Sequence, residues 1–229
     1  LGLCALDDRL GLLNFYCVQN QTTKPDKSDD FDRYCLLRDD SKKAFHIRKG
    51  CSRKWMNEGD EARGSAGISI LWPDTANADY QSALADSKAG KSPNNISCII
   101  KYSLNDSATV VWMGDLETDF MNRIAGSVDL PDTDILFAPH HGRDSGKVPT
   151  DWLNEMSPKI VVLGECPSGD LNYYKGYNTI TQNSAGEIAF ECEDSVVHVY
   201  VSSTTYSVSF LRNAGRDNTY GRYIGSLDV

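Results

Sequence analysis

The chain has few of the features that mark membrane, secreted or nucleic-acid-coating proteins. In its 229 residues no apolar run approaches the length of a membrane span, and the first residues lack the charged start and long apolar stretch of a secretory leader. Basic residues are in the minority, with 23 Lys and Arg against 32 Asp and Glu, and the formal net charge is −9. A broad, non-specific grip on nucleic-acid backbone is therefore not expected, although a local basic groove can still exist.

Paired cysteines are also missing. The seven cysteines are odd in number, and no two of them form a C-x-x-C pair. This pattern argues against both a disulfide framework and a cysteine-rich zinc site, and it favours small core residues in a reducing compartment. The expected location is the cytoplasm.

The chain does contain enough apolar sequence for one substantial core. Hydrophobic residues make up 40% of it, and strands and helices alternate from residue 67 onward, which predicts a layered α/β fold. The predicted helices are 8–17, 39–57, 116–125 and 149–156, with polar loops at 20–34 and 74–93. The predicted strands are 68–72, 96–102, 108–113, 135–138, 159–164, 186–191, 196–201 and 206–211, with a hairpin turn at 105–107. All four tryptophans are predicted to pack in the core or between layers.

The predicted helix 39–57 has one strongly basic side. The cations on that side are Lys42, Lys43, Arg48, Lys49, Arg53 and Lys54. Two interpretations are open. The basic side is either an ordinary solvated helix face or a phosphate-attracting ridge beside an active site.

Two strand ends carry polar residues of the kind that form binding sites. The strand 108–113 delivers Gly114 and Asp115 at its tip, where a carboxylate is a hard oxygen ligand and glycine permits close backbone approach. In layered α/β folds ligands and metals gather at this edge of the sheet. The alternative is that Asp115 only caps the helix that follows.

The strand 135–138 ends in Pro139, followed by His140, His141 and Gly142. Adjacent side chains in extended chain point in opposite directions, so one imidazole can bind metal while the other binds a carboxylate or substrate. The alternative is a pair of satisfied structural histidines. The loop behind the pair supplies the candidate substrate-binding residues Arg143, Ser145 and Gly146, because a flexible glycine- and serine-containing loop suits phosphate.

The order of these motifs resembles a known family. The segments that carry the likeness are Asn94–Ser97, Gly114–Glu117, Asp134–Leu136 leading to His140–Gly142, Asn178–Gln182 and Gly186–Ile188. Together they are similar to the metallo-hydrolase domain of DNA-uptake competence proteins, which has the metallo-β-lactamase fold. The similarity spans about residues 40–225, with 1–66 as a helical and loop insertion and 67–229 as the C-terminal αβ half of a single domain, 1–229.

The resemblance implies a four-layer αβ/βα sandwich with one or two divalent metals, zinc or manganese, at the sheet edges. In the family an H-x-[HD]-x-D-H loop supplies the main ligands, and a later Gly-Asp carboxylate and a still later histidine complete the site. By this match Asp115 takes the bridging role and His140 or His141 takes the role of the late histidine, so that Asp115, His140 and His141 are the candidate metal ligands and catalytic residues. A metal-bound hydroxide would attack phosphorus or carbonyl carbon.

The chain departs from that pattern because no H-x-[HD]-x-D-H is present. His46 stands alone in a helix-like segment and is interpreted as a non-ligand, and the nearest relic is Leu6–Leu12, where Arg9 would replace a histidine. Either the motif lies upstream of Leu1 or the protein has lost it. In the first case the fold of this chain is expected to be incomplete at its N-terminus. With Asp115 and one or two histidines, metal binding by this chain alone is expected to be weak or absent, since zinc takes about four ligands.

Three functions remain open from the sequence. The first is a metal-dependent hydrolase of phosphodiester bonds in nucleotides or nucleic acid. The second is a non-catalytic binding or regulatory module that kept the fold and lost its metal site. The third is an unrelated α/β domain whose motifs coincide. The expected partners are a phosphate-containing small molecule or nucleic acid and no membrane, with homo-oligomer formation left open.

Overall fold

The computed structural model describes residues 2–104 and 107–229. Asn105 and Asp106 of the predicted hairpin turn lie outside the described residues. The strands are β1 (Phe15–Cys17), β2 (Ala44–His46), β3 (Ile68–Trp72), β4 (Ile99–Leu104), β5 (Ala108–Trp112), β6 (Ile135–Phe137), β7 (Ile160–Leu163), β8 (Thr179–Thr181), β9 (Ile188–Glu193), β10 (Val196–Val201) and β11 (Arg222–Asp228). The helices are α1 (Leu3–Leu10), α2 (Asp29–Asp39), α3 (Ala78–Lys88), α4 (Thr118–Ile124), α5 (Thr150–Met156) and α6 (Gln182–Ala185).

A mixed six-stranded sheet forms the centre of the molecule. Its strand order is β3-β4-β5-β6-β7-β8, with antiparallel pairing from β3 to β5 and parallel pairing from β5 to β8. The carboxyl ends of β5, β6, β7 and β8 therefore meet at one edge of the sheet. A second, antiparallel sheet has the order β11-β10-β9, and β1 and β2 form a small parallel pair.

Both faces of the central sheet are buried, which explains why its middle strands are almost continuously apolar. Val111, Leu136 and Val161 share one core with the helices α3, α4 and α5. Their neighbours on the opposite face, such as Val110 and Ile135, share a second core with the inner residues of β10. The layers are thus helices, central sheet and second sheet. The predicted mixed α/β class is confirmed, while the specific four-layer sandwich stays a prediction.

Several predicted elements are confirmed with small shifts of their ends. These are strand 68–72, the antiparallel hairpin of β4 and β5, the helices α4 and α5, and the strands β6, β7, β9 and β10. Each has a buried apolar pattern that its own sequence dictates, either continuous for a strand covered on both faces or spaced along one helix face.

The predicted helix 39–57 is wrong. The helix of this region is α2, which ends at Asp39 and begins at Asp29, inside the predicted loop 20–34. Ser28 caps α2 by accepting a hydrogen bond from the Phe31 amide. Three aspartates occupy the first turn, where their negative charges interact favourably with the positive end of the helix dipole. After Asp39 the chain forms β2 against β1 and then an irregular loop, so the basic residues of 42–54 do not share a helix face.

Two further helix and loop predictions are corrected. The predicted helix 8–17 is α1 followed by β1, because Gly11 takes the left-handed conformation that ends the helix at Leu10. The predicted loop 74–93 contains α3, which Asn77 caps by accepting a hydrogen bond from the Tyr80 amide. Only Tyr80 and Ser87 of α3 are buried, so its sequence shows little of the apolar pattern that predicts a helix.

The predicted strand 206–211 is also wrong, and the last strand is β11. The guanidinium of Arg222 donates hydrogen bonds to the carbonyl oxygens of Ser203 and Tyr206. These bonds satisfy backbone groups of the irregular segment that would otherwise need a strand partner. Phe210 and Leu211 still pack against the second core.

The seven cysteines are all free thiols, as expected. Among the described residues, none of the helices combines the length and the apolar character needed to cross a bilayer.

Leu136 in the central strand β6 tests how much the core contributes. Its side chain is fully buried, so Leu136→Ala should lower the free energy of unfolding by about 2–5 kcal/mol. Leu13→Ala is the matched control, because Leu13 is 79% exposed and its removal should change the free energy by less than about 0.5 kcal/mol. Urea denaturation followed by circular dichroism measures both, and equal losses in the two variants would contradict the layer assignment.

Candidate functional site

A cavity of about 350 Å³ opens at the edge of the sheet where the parallel strands end. Its floor is apolar and includes Trp112, Phe137 and Val162, each at or near the carboxyl end of its strand. The rings of Trp112 and Phe137 stack with their centroids 4.7 Å apart. Asp115 and His141 stand on the rim. The cavity thus combines a flat aromatic floor with two polar groups at its mouth.

Asp115 is positioned by a tight turn after β5. Gly114 takes a left-handed φ of 56°, and a Cβ on it would stand 2.6 Å from the Ser97 Cβ, so the turn requires glycine. The Asp115 amide donates a 3.0 Å hydrogen bond to the Ser97 hydroxyl. The residue before α4 is Glu117, and Asp115 does not cap that helix. Its carboxylate is left free to face the cavity.

The histidine pair lies on a strained loop after β6. His140 and His141 both have left-handed φ values, 50° and 62°, which cost energy for residues with a Cβ. The His140 amide donates a 2.9 Å hydrogen bond to the Gly114 carbonyl, and this bond ties the two loops together. At the end of β7 a Cβ on Gly164 would stand 3.0 Å from the His141 ring. Glycine at that position makes room for the imidazole.

The two imidazoles take different partners. His141 Nε2 lies 3.9 Å from Asp115 Oδ1, and both side chains are about half exposed. His140 Nδ1 lies 2.9 Å from the Ser145 hydroxyl. The structure therefore brings Asp115 together with His141, whereas His140 is held by Ser145.

The predicted substrate-binding residues lie behind His140 and do not line the cavity. Arg143 and Ser145 are exposed on the loop, and Gly146 is buried. A Cβ on Gly146 would stand 2.5 Å from the His140 Cβ and 2.7 Å from the Pro139 carbonyl oxygen. Gly146 thus supports the histidine loop by close packing, and Ser145 does so by its hydrogen bond.

The opposite wall of the cavity comes from residues that the sequence did not single out as a site. Gln182 directly follows β8, Gly186 lies just before β9, and Ile188 is the first residue of β9. Gln182 is a polar residue directly after a strand that is parallel to β7. The rule that pointed to Asp115 applies to it as well, since it too stands at the carboxyl edge of the sheet.

Other candidate groups lie elsewhere or are satisfied. His46 is in β2, with its Nε2 3.3 Å from the Arg38 carbonyl. His198 is buried and its Nδ1 lies 2.6 Å from the Ser226 hydroxyl, as expected for a structural histidine. Burial raises the pKa of the Cys166 thiol, which disfavours the thiolate form that a nucleophile needs.

The site supplies too few donors for a tight metal centre. Over residues 2–104 and 107–229, no group of three or more His, Cys, Asp or Glu side chains is arranged to hold a metal ion. Asp115 and His141 are two ligands, and zinc takes about four. These residues therefore fit half of a metal site.

Gly146 provides a direct test of the packing behind the histidines. Gly146→Ala forces the His140 loop to shift, so it should lower the free energy of unfolding by about 1–3 kcal/mol. Gly169→Ala is the matched control, because Gly169 has helical backbone angles and no heavy atom lies within 4 Å of the position that an added methyl group would take. Thermal and urea unfolding measure both, and a neutral Gly146→Ala would contradict the close packing described above.

Comparison with known proteins leaves the chemistry of this site to be inferred from its geometry. Protein-family models gave no match to this chain, and neither did the curated proteins. The convergence of Asp115 with His141 is consequently the main guide to function.

Proposed function

We propose that this chain is a metal-dependent hydrolase of phosphodiester bonds, built on a metallo-β-lactamase-like αβ/βα sandwich. The observation that carries the proposal is the 3.9 Å approach of His141 Nε2 to Asp115 Oδ1 at the rim of a cavity. A zinc or manganese ion held at about 2.0–2.2 Å from each ligand spans donor atoms roughly 3–4 Å apart. An imidazole and a carboxylate at this distance suit one divalent cation.

The cavity itself supports a nucleotide substrate. The stacked rings of Trp112 and Phe137 offer an apolar surface on which a base can pack, and the polar pair lies beside it. A phosphate group next to that pair would lie where a divalent cation could polarise it. This arrangement agrees with the phosphodiester class inferred from the resemblance to competence-protein hydrolases.

The two polar groups at the rim have one role in this function, which is to hold the metal. Asp115 and His141 furnish about half of the ligands that zinc requires, and His140 is engaged by Ser145. For that reason we assign both residues as metal ligands and assign no general acid or base.

A second function is favoured by the same incomplete ligand set. A non-catalytic module would use the cavity to bind a nucleotide or another phosphate-bearing molecule, with Asp115 and His141 making direct polar contacts. The shortage of metal-binding groups among the described residues favours this alternative. The two functions differ in their need for metal and in turnover.

Measurement of metal affinity tests whether Asp115 and His141 are the ligands. Mn²⁺ is the suitable probe, because the seven free thiols prefer softer metals. Calorimetry should show weak binding to the unmodified chain and at least about tenfold weaker binding to Asp115→Asn and to His141→Ala. Asp129→Asn and His46→Ala are controls that lie outside the site and should bind like the unmodified chain. Equal affinities in all five proteins would remove the metal assignment.

Turnover distinguishes the hydrolase from the module. The hydrolase should cleave bis(p-nitrophenyl) phosphate only when Mn²⁺ or Zn²⁺ is added, and Asp115→Asn should abolish the metal-dependent rate while Asp129→Asn preserves it. Mn²⁺-independent nucleotide binding without any cleavage would favour the module. Cleavage that survives in Asp115→Asn would rule out the proposed site.

A further inference from the structure

A second depression, which we call the basic groove, lies at the β3 side of the central sheet. It has a volume of about 610 Å³ and is lined by Tyr16, Arg53, Lys54, Trp55 and Arg63 above a floor that includes Ile70 and Ile100. Three cations and two exposed aromatic rings therefore share one surface of a chain whose net charge is −9. These cations and rings lie away from Asp115 and His141 and have no part in the proposed metal site.

Within the described residues, no carboxylate forms an ion pair with either arginine of the groove. Among the ion pairs of residues 2–104 and 107–229, Lys54 is paired with Asp60 at 3.1 Å, but Arg53 and Arg63 have no acidic partner. The Arg53 guanidinium packs against the neighbouring rings of Tyr16 and Phe45, at 4.9 and 4.7 Å from their centroids.

The Arg53 guanidinium is only partly used by the fold. Its Nη2 donates a 2.6 Å hydrogen bond to Asn14 Oδ1, while its Nη1 is buried with no hydrogen-bond partner in the described part of the chain. A buried donor without a partner is costly, so the Arg53 side chain would gain hydrogen bonds by turning toward an anion in the groove.

Trp55 is exposed at the mouth of this groove, contrary to its predicted place in the core. The indole is 43% exposed, and the residue has a left-handed φ of 70°. Backbone hydrogen bonds hold it there: the Trp55 amide donates to the Glu58 carbonyl, and the Ala66 amide donates to the Trp55 carbonyl. The guanidinium of Arg63 stacks 4.5 Å from its ring. An exposed indole on a strained backbone, with a guanidinium packed on its ring, is typical of a recognition surface.

The basic groove and the cavity beside Asp115 lie on the same face of the sheet. Ile70, Ile100, Trp112 and Phe137 are successive register partners across β3, β4, β5 and β6, so their side chains point to one side. Ile70 and Ile100 belong to the groove, and Trp112 and Phe137 belong to the cavity. The basic groove and the cavity with Asp115 and His141 therefore open on the same side of the sheet.

We propose that the basic groove binds single-stranded nucleic acid, with Arg53 and Arg63 on backbone phosphates and a base stacked on Trp55. Guanidinium groups bind phosphate through paired donors, and aromatic faces accept any unpaired base. A duplex does not fit this proposal, because its bases are stacked on each other and leave no free face for Trp55. Binding is independent of hydrolysis, whereas a role in delivering substrate to Asp115 rests on the proposed function.

Fluorescence anisotropy of a labelled thymidine decamer, titrated in EDTA, tests the proposal without any metal chemistry. Arg53→Ala/Arg63→Ala should bind at least tenfold more weakly than the unmodified chain. Lys91→Ala/Arg123→Ala removes the same charge from two exposed side chains outside the groove and should bind normally. Contacts to two phosphates predict a slope of about −1.4 for the logarithm of the binding constant against that of salt concentration. The double groove variant should lose that slope.

Trp55 supplies an independent readout in the same titration. Trp72 and Trp152 are buried, whereas Trp55 lines the groove and Trp112 lines the cavity. Quenching of tryptophan emission by the decamer should therefore fall in Trp55→Leu, and any remaining quenching should come from Trp112. Circular dichroism checks that each variant folds. If the variant that contains Arg53→Ala does not fold, Arg63→Ala and Trp55→Leu replace it, because both alter exposed side chains.

Four outcomes would overturn the proposal. These are no decamer binding, equal weakening in the groove and control variants, tighter binding of a duplex than of the single strand, and competition by thymidine monophosphate or inorganic phosphate as strong as that by the decamer. The last result would identify a site for a single phosphate instead of a strand. Because no metal is present, none of these outcomes bears on whether Asp115 and His141 form a metal site.

Discussion

The parallel pairing of β5, β6 and β7 is the constraint on which the candidate site depends. The register places Trp112 beside Phe137 and Phe137 beside Val162, so three strands end at the same edge and their following loops meet there. A 2.9 Å hydrogen bond from the His140 amide to the Gly114 carbonyl then joins the first two loops directly. Asp115 and His141 are 26 residues apart in the chain, and it is this shared edge that brings them together in space.

The loops reach that arrangement by means of backbone conformations that most residues avoid. His140 and His141 are both left-handed, and the bulk of their side chains is tolerated because Gly146 and Gly164 leave space beside them. Strain of this kind persists only when surrounding contacts hold it, and here those contacts come from neighbouring strand ends. The geometry separates the adjacent imidazoles, so that His141 faces Asp115 while Ser145 engages His140.

The distribution of charge adds a second level to this organisation. Arg53 and Arg63, which form no ion pair with the described residues, lie in the basic groove on the same sheet face as the cavity. The two depressions are joined by one row of side chains across four strands. The proposed nucleic-acid ligand and the proposed phosphodiester substrate would therefore bind on the same side of the central sheet.

The sequence by itself determined the elements whose signals are local. The continuous apolar runs of β6 and β7 predicted buried strands, and the positions of Gly114-Asp115 and His140-His141 at strand ends predicted where polar groups collect. The sequence-based prediction was wrong for elements whose position depends on a helix cap or on a distant hydrogen-bond partner. Ser28 begins α2 in a segment too polar to show a helical pattern, and Arg222 satisfies the backbone of 203–206 from across the fold.

Only the tertiary structure decided which side chains act together. The choice of His141 over His140, the packing role of Gly146 and the exposure of Trp55 each depend on contacts with residues of other elements. The basic residues near position 50 are evident in the sequence. That Arg63 lies beside Arg53 depends on the loop that packs over β3 and β4. The physical reason is that spacing along a chain fixes local direction, whereas strand register and loop strain fix which distant atoms meet.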